Sequence, residues 1–185
     1  MAAADEQQLI LRARQGSHEA YRLLVERHMK QAYNVAFGFV TDHAGAEDIA
    51  QEAFVRAYYA LPSFRGDAEF GTWLYRIVTN LALNRIKQRN ARLEREVAME
   101  SADALTEGSE DPVHGQLDLR THLERALHEL PTLQRAVVIL RHIEGLSTTQ
   151  VSKILNCSEG TVKTHLFRGL KKMRERLEYL KAEAE

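Results

Sequence analysis

The chain has 185 residues, 44% of them hydrophobic, with 25 Lys and Arg set against 26 Asp and Glu. That is enough for one medium domain or two small ones with modest cores, and too neutral on average for a wholly basic nucleic-acid coat. A single cysteine, Cys157, excludes an intramolecular disulfide and fits a reducing compartment. The first residues, MAAADEQQ, lack the basic and apolar regions of a signal peptide, and no apolar run is long enough to cross a bilayer. Three prolines, ten glycines and no useful strand-type alternation predict an all-α chain.

The average charge hides a pattern. No Lys or Arg falls between Lys30 and Arg56, while Asp42, Glu47, Asp48 and Glu52 do. Arg76, Arg85, Lys87, Arg89, Arg92 and Arg95 then follow with one acid, Glu94, among them. Lys163, Arg168, Lys171, Lys172, Arg174 and Arg176 repeat the motif with Glu175. Two basic patches and one acidic patch imply two polyanion contacts and a separate, basic partner.

In chain order, residues 5–15 make a short candidate helix with Leu9, Ile10 and Ala13 inward. Gly16 breaks it, and Ser17 is placed to cap the next, which runs to about Gly38. His18 and His28 have no Cys or acidic partner at metal-binding spacing and are expected to pack or to face solvent; no metal site or cofactor is predicted. Ala46, Ile49, Ala50, Ala53, Phe54, Ala57, Tyr58 and Leu61 keep helical spacing, with Asp48, Gln51 and Glu52 exposed beside them. That acidic side reads either as a solvated face or as a docking surface for a basic partner. Pro62 ends the helix.

Residues 63–89 hold the one tryptophan. Phe70, Trp73, Leu74, Ile77, Val78 and Leu81 form an apolar stripe, with Thr72 expected as the cap. Arg76, Asn80, Asn84 and Lys87 lie about one turn apart on the other side, residue types that bond base edges and phosphates. The preceding loop, Phe64-Arg65-Gly66-Asp67, has the aromatic, cation and glycine that suit an unstacked base. From this stretch alone, an amphipathic helix with a solvated polar face is the first reading.

Residues 96–120 are acidic, lose the helical period and contain proline and two glycines, so a flexible linker is predicted. Periodicity returns with Leu119, Leu123, Ala126, Leu127 and Leu130. Pro131 stops that helix, and Thr132 is expected to cap the next, which leads to a left-handed cap at Gly145. Ser147 with Gln150 matches a capping box, and Val151, Ile154 and Leu155 face inward. Asn156 and Cys157 make a tight turn, and Ser158 caps a basic last helix with Val162, Leu166, Met173 and Leu177 inward. This is a helix-turn-helix arrangement, whose second helix would enter a major groove with Lys163, Thr164, Phe167 and Arg168 outward. There is no Gly-rich phosphate loop, HExxH or nucleophile elbow, so no enzyme is predicted.

The segments AEDIAQEAF, FRGDAEFGTWLYRI and GTVKTHLFRG, in this order, resemble bacterial RNA polymerase sigma factors of the two-domain, extracytoplasmic-function (ECF) type. The resemblance implies two small helical domains joined by the linker: residues 1–95 for core polymerase and the −10 element, 96–120 as tether, and 121–185 for the −35 element. By the same resemblance, Asp48, Gln51, Glu52 and Phe54 contact core RNA polymerase. Phe64, Arg65, Gly66, Asp67, Tyr75, Arg76, Asn80, Asn84 and Lys87 take the melted −10 strand. Ser158, Thr161, Lys163, Thr164, Phe167, Arg168, Lys171 and Lys172 meet the −35 duplex. Core polymerase and promoter DNA are the implied partners, an anti-sigma protein is common in the family, and the implied compartment is the cytoplasm. GTVKTHL also looks like the reading helix of LuxR-type regulators, which is the alternative. Where the family often has Arg-Ala-Arg, this chain has Arg168-Gly169-Leu170, and Gly169 is expected to loosen the helix by roughly 1 kcal/mol relative to Ala.

Overall fold

The computed structural model describes residues 2–40, 42–100 and 119–178. Most of the acidic segment read as a linker therefore lies outside the described residues. Eight α-helices and no strands are found among the described residues. They fall into two halves, α1 to α4 and α5 to α8.

The first half is built by three locally encoded boundaries. Helix α1 (Ala2–Arg14) ends at Gly16, whose φ of +93° is open to glycine without strain. Ser17 caps α2 (His18–Phe39), its hydroxyl accepting from the Ala20 amide at 3.2 Å. Asp42 caps α3 (His43–Ala60) by accepting from the Gly45 amide. A 3₁₀ turn, Leu61–Ser63, carries Pro62 and closes α3. Helix α4 (Phe70–Glu100) then packs across α2 and α3.

Helix α4 starts earlier and ends later than the sequence suggests. Its first residue is Phe70, so Thr72 lies inside the first turn rather than at the cap, and its side chain is buried. The helix continues through Glu100, five residues beyond the expected domain boundary at 95.

The second half begins with α5 (Leu119–His128) and α6 (Thr132–Val138). Pro131 occupies the cap of α6, with no side-chain bond, and Thr132 is the first helical residue rather than the cap. A single π turn, Ile139–Ile143, extends α6 to Gly145, whose φ of +68° makes the left-handed stop. Ser147 and Gln150 form the capping box of α7 (Thr148–Leu155) in full. Asn156 takes the left-handed conformation at φ 51°, and Ser158 caps α8 (Glu159–Leu177) by accepting from the Thr161 amide at 3.0 Å. Thr149 on α7 donates to Glu159 at 2.7 Å, which pins the two arms of the helix-turn-helix together.

Leu24, Val35, Phe39, Phe70, Leu74 and Val78 fill the first core. Val137, Ile139, Leu140, Val151 and Val162 fill the second. Burial of such side chains is worth about 1.5–3 kcal/mol each. The two cores are continuous, because α2 packs against α5 and α6 while α4 packs against α7. Arg135 donates across this seam to the Phe39 carbonyl at 3.2 Å and, within its own half, to the carbonyls of His128 and Leu130. Burial, followed by the nearby Arg135 guanidinium, lowers the pKa of the His128 ring.

Gly169 does not loosen α8. It is buried, and a Cβ there would stand 2.9 Å from Val138 Cγ2. The missing side chain lets α8 approach α6 closely, so packing outweighs the helix-propensity cost. Gly169→Leu should therefore destabilise the fold by about 1–3 kcal/mol, the usual effect of overpacking. A urea titration followed by circular dichroism checks this; an unchanged midpoint would show that α6 yields freely.

Candidate nucleic-acid interface

Three surfaces carry the residues singled out in the sequence. The first is the outer side of α3. Asp48, Gln51 and Glu52 are exposed there. Two of the acids have partners within the chain: Asp48 meets Arg85 at 3.4 Å, and Glu52 meets Arg56 at 2.6 Å. Such exposed pairs are worth little and exchange readily for other cations. Phe54 differs, being 5% exposed in the core, with its carbonyl accepting from the Tyr21 hydroxyl. It cannot present its ring to a partner, and its own apolar spacing already placed it inward. The exposed apolar groups on this side are Val55 and Tyr59, the latter 78% exposed. They follow Gln51 at four-residue steps, a signal available in the sequence that went unused.

The second surface is the loop at 64–69 with the polar face of α4. Arg65, Gly66 and Asp67 are exposed, and Gly66 holds φ +80°, a conformation that favours glycine. Phe64 is buried to 7% exposure under the loop, its ring 4.9 Å from Trp73 and 6.1 Å from Phe70. The aromatic in this loop is therefore a foundation rather than a free stacking platform. Trp73 packs partly inward, as its place in the apolar stripe implies. Arg76, Asn80, Asn84 and Lys87 are all exposed on α4. Tyr75 is instead 8% exposed, and burial, with Glu144 and Glu6 nearby, pushes its hydroxyl up to about 12. Beside the loop lies a hollow of about 580 Å³, lined by Arg65, Asp67, Trp73 and Arg76 from the first half. Lys153 and Asn156 of the second half also line it, and nothing in the sequence pattern joins them to this loop.

The third surface is the start of α8. Lys163, Thr164, Phe167, Arg168, Lys171 and Lys172 are exposed, and Phe167 reaches 72%. A ring that bare among cations is poorly explained by folding and suits an apolar contact with a base methyl. The Ser158 and Thr161 hydroxyls sit 2.8 Å apart at the cap, so both are partly engaged in holding the helix start. Lys171 pairs only loosely with Glu175, at 3.9 Å. Among the described residues no group of three His, Cys, Asp or Glu side chains is placed to hold a metal ion. No described helix is long and apolar enough to cross a membrane.

Between the halves lies a second hollow, where Glu144 faces Tyr75, Glu6, Arg27, His28 and Glu69. Glu144 Oε1 is buried without a hydrogen-bond partner among the described residues, and burial pushes this carboxyl up to about 7. The folded chain thus keeps a proton on Glu144 that an unfolded chain, with a value near 4.5, releases. The stabilisation is complete below the unfolded value and is lost as pH rises through about 7. Melting temperatures from acid to neutral pH should fall more steeply for the native protein than for Glu144→Gln. Parallel profiles would place the titration elsewhere.

Comparison with known proteins agrees with this geometry. The family description "Sigma-70 region 2" matches residues 24–92, and "Sigma-70, region 4" matches residues 120–173. The RNA polymerase sigma-H factor of Pseudomonas aeruginosa is 35% identical over 97% of this chain and 97% of its own. The ECF RNA polymerase sigma factor SigW of Bacillus subtilis is 32% identical over 91% of this chain and 94% of its own. The ECF RNA polymerase sigma-E factor of Escherichia coli is 36% identical over 88% and 89%. Among solved structures, CnrH in complex with the cytosolic domain of CnrY superposes with a TM-score of 0.71 at 26% identity, covering 95% of this chain and 98% of that one. The sigma factor RpoE bound to the anti-sigma factor NepR from Bartonella quintana gives a TM-score of 0.68 at 24% identity, over 85% and 96%. With both halves matched in order and relatives aligned along nearly their whole length, the chain belongs to the ECF group of RNA polymerase sigma factors.

Proposed function

We propose that this sigma factor divides its task among the three surfaces, with α3 docking on core RNA polymerase, the 64–69 loop and α4 taking the melted −10 strand, and α8 reading the −35 duplex. As a member of its family it directs promoter-specific transcription. It supplies contacts, not catalysis. The observation that carries the reading is the separation of three exposed, chemically distinct faces on one helical frame. A LuxR-type regulator would account for α7 and α8 but leaves the match of residues 24–92 without a use.

On α3, Asp48, Gln51 and Glu52 would meet cations of the polymerase, with Val55 and Tyr59 giving the apolar contact first assigned to Phe54. Phe54 holds the helix from within. On the loop, Arg65, Gly66 and Asp67 with Arg76, Asn80, Asn84 and Lys87 touch the strand. Phe64 and Tyr75 position them from below. On α8, Arg168 is suited to guanine and Phe167 to a thymine methyl, with Lys171 and Lys172 on phosphates. Ser158 and Thr161 bring the helix start to the backbone. The sigma factor RpoE is bound to an anti-sigma factor, and an anti-sigma partner for this chain belongs to the same reading. So do the domain limits 1–95, 96–120 and 121–185, with α4 reaching into the tether.

Charge reversal tests the first surface. Asp48→Arg with Glu52→Arg sets cations against cations and should abolish copurification with core polymerase while circular dichroism stays native. Undiminished binding would remove α3 from the interface. For the second surface, Asn80→Ala should slow promoter opening on paired DNA yet act nearly normally on a promoter mismatched across the −10 element. The mismatch removes the few kcal/mol of unpairing cost. Permanganate reactivity of unpaired thymines reads both templates, and normal opening of the paired promoter would exclude Asn80.

A further inference from the structure

The hollow around Glu144 has a volume of about 590 Å³, within the range of small-molecule sites. Its carboxylates are Glu6 from α1, Glu69 from the 64–69 loop and Glu144 from the turn before α7. Its cations are Arg27 and His28 of α2, and both are already engaged. Arg27 meets Asp5 at 2.7 Å and Glu6 at 3.5 Å, and His28 meets Glu6 at 3.2 Å. Glu69 and Glu144 have no cation and no side-chain hydrogen bond among the described residues. Glu144 Oε1 is sealed from water, so Oε2 is the oxygen open to the hollow.

Tyr75 is an independent sign of a ligand. It is 8% exposed and lines the same hollow, and its hydroxyl has no hydrogen-bond partner among the described residues. Glu144 and Glu6 act on that hydroxyl through their charge, which sets their carboxyls near it. A buried hydroxyl left open is costly, and a group seated in the hollow removes that cost.

The charge of the hollow selects a cation, and its layout selects the kind. Among the described residues no three carboxylates or histidines are grouped to hold a metal ion, so the acids are too dispersed for one point charge. Two ammonium heads on an apolar stem fit them instead, with Ile10 and Leu146 beside the stem. The neighbouring hollow, lined by Arg65, Arg76 and Lys153, has the opposite sign and repels such a ligand.

We propose that the hollow around Glu144 is a binding site for a linear aliphatic diamine or polyamine, one ammonium donating to Glu144 Oε2 and the Tyr75 hydroxyl oxygen, and a second donating to Glu69. The site is independent of the roles given to the three surfaces. The first ammonium favours the ionised carboxyl of Glu144, which burial otherwise pushes up to about 7. Binding therefore releases a proton and strengthens as pH rises through that value. Glu6, Arg27, His28, Glu69 and Tyr75 face Glu144 around the hollow and set the rest of the field.

Isothermal titration calorimetry of the full chain with cadaverine tests this. One cadaverine should bind per chain, about tenfold or more tightly than pentylamine, which lacks the second charge. Pentanediol, with the stem but no charge, and magnesium chloride, with charge but no stem, should give no saturable heat. Glu144→Gln and Glu69→Gln, both isosteric, should each weaken cadaverine about tenfold or more, and Tyr75→Phe should weaken it as well. Glu47→Gln, at an exposed acid on α3, should leave the affinity unchanged. The loss of affinity from pH 8 to pH 6 should be steeper for the native protein than for Glu144→Gln. Glu69 is exposed, so Glu69→Gln tests the site without disturbing the core. No saturable heat at millimolar cadaverine overturns the proposal. So does magnesium binding as well as cadaverine, or Glu47→Gln weakening it as much as Glu69→Gln, since either marks diffuse attraction to surface charge.

Discussion

Phe70, Leu74 and Val78 are almost wholly out of water, and they press one side of α4 against α2 and α3. That burial constrains the rest. With its apolar side held, α4 can offer only the opposite side, and Arg76, Asn80, Asn84 and Lys87 occupy it. The same anchoring sets the loop, because Phe64 inserts beneath it onto Phe70 and Trp73. The loop backbone is thus braced by aromatic packing, while its polar residues stay exposed. In the strand-binding role proposed for it, a base would find a preset surface, which lowers the ordering cost of capture.

The surface charges add little to stability. Asp48 with Arg85, and Glu52 with Arg56, are exposed pairs that contribute little to the fold. In the docking role proposed for this face, a cationic partner would replace the intramolecular one at small net cost. Among the α8 cations Lys171 is only loosely paired with Glu175, whereas Arg176 meets Glu129 at 2.8 Å. Buried charge is handled differently. Arg135 is tied to carbonyls through its terminal nitrogens while its Nε has no partner among the described residues, and Glu144 lacks a partner for one oxygen and is held towards its neutral form.

The two halves of the chain meet through a continuous apolar core, with a glycine at a close approach and a few long-range hydrogen bonds. Gly38 and Gly169 serve parallel purposes: one lets the halves approach, the other lets α8 settle on α6. In both places the cost of glycine in a helix is outweighed by close packing. The apolar contacts of the seam run on from the buried centre of each half without a break.

The helices, their caps and the polar face of α4 were readable from the sequence, because each depends on residues within a turn or two. Ser17, Ser147 with Gln150, Gly145 and Ser158 act where local rules put them. The motifs that mark a sigma factor are local in the same way. What local pattern could not decide was which side chains near a surface reach it. Phe54, Phe64 and Tyr75 belong to the stretches proposed to bind partners yet are buried, because neighbouring helices close over them. Thr72 looked like a cap until Gln150, 78 positions away, took its hydroxyl. Glu144 and Lys153 acquire their surroundings only when α7 and the π turn dock on the first half. The period of a helix and the chemistry of its ends are properties of a short segment, and the sequence determined them. The seam, the hollow lined from both halves and the raised carboxyl between them come from contacts between segments far apart in the chain, and only the tertiary structure decided those.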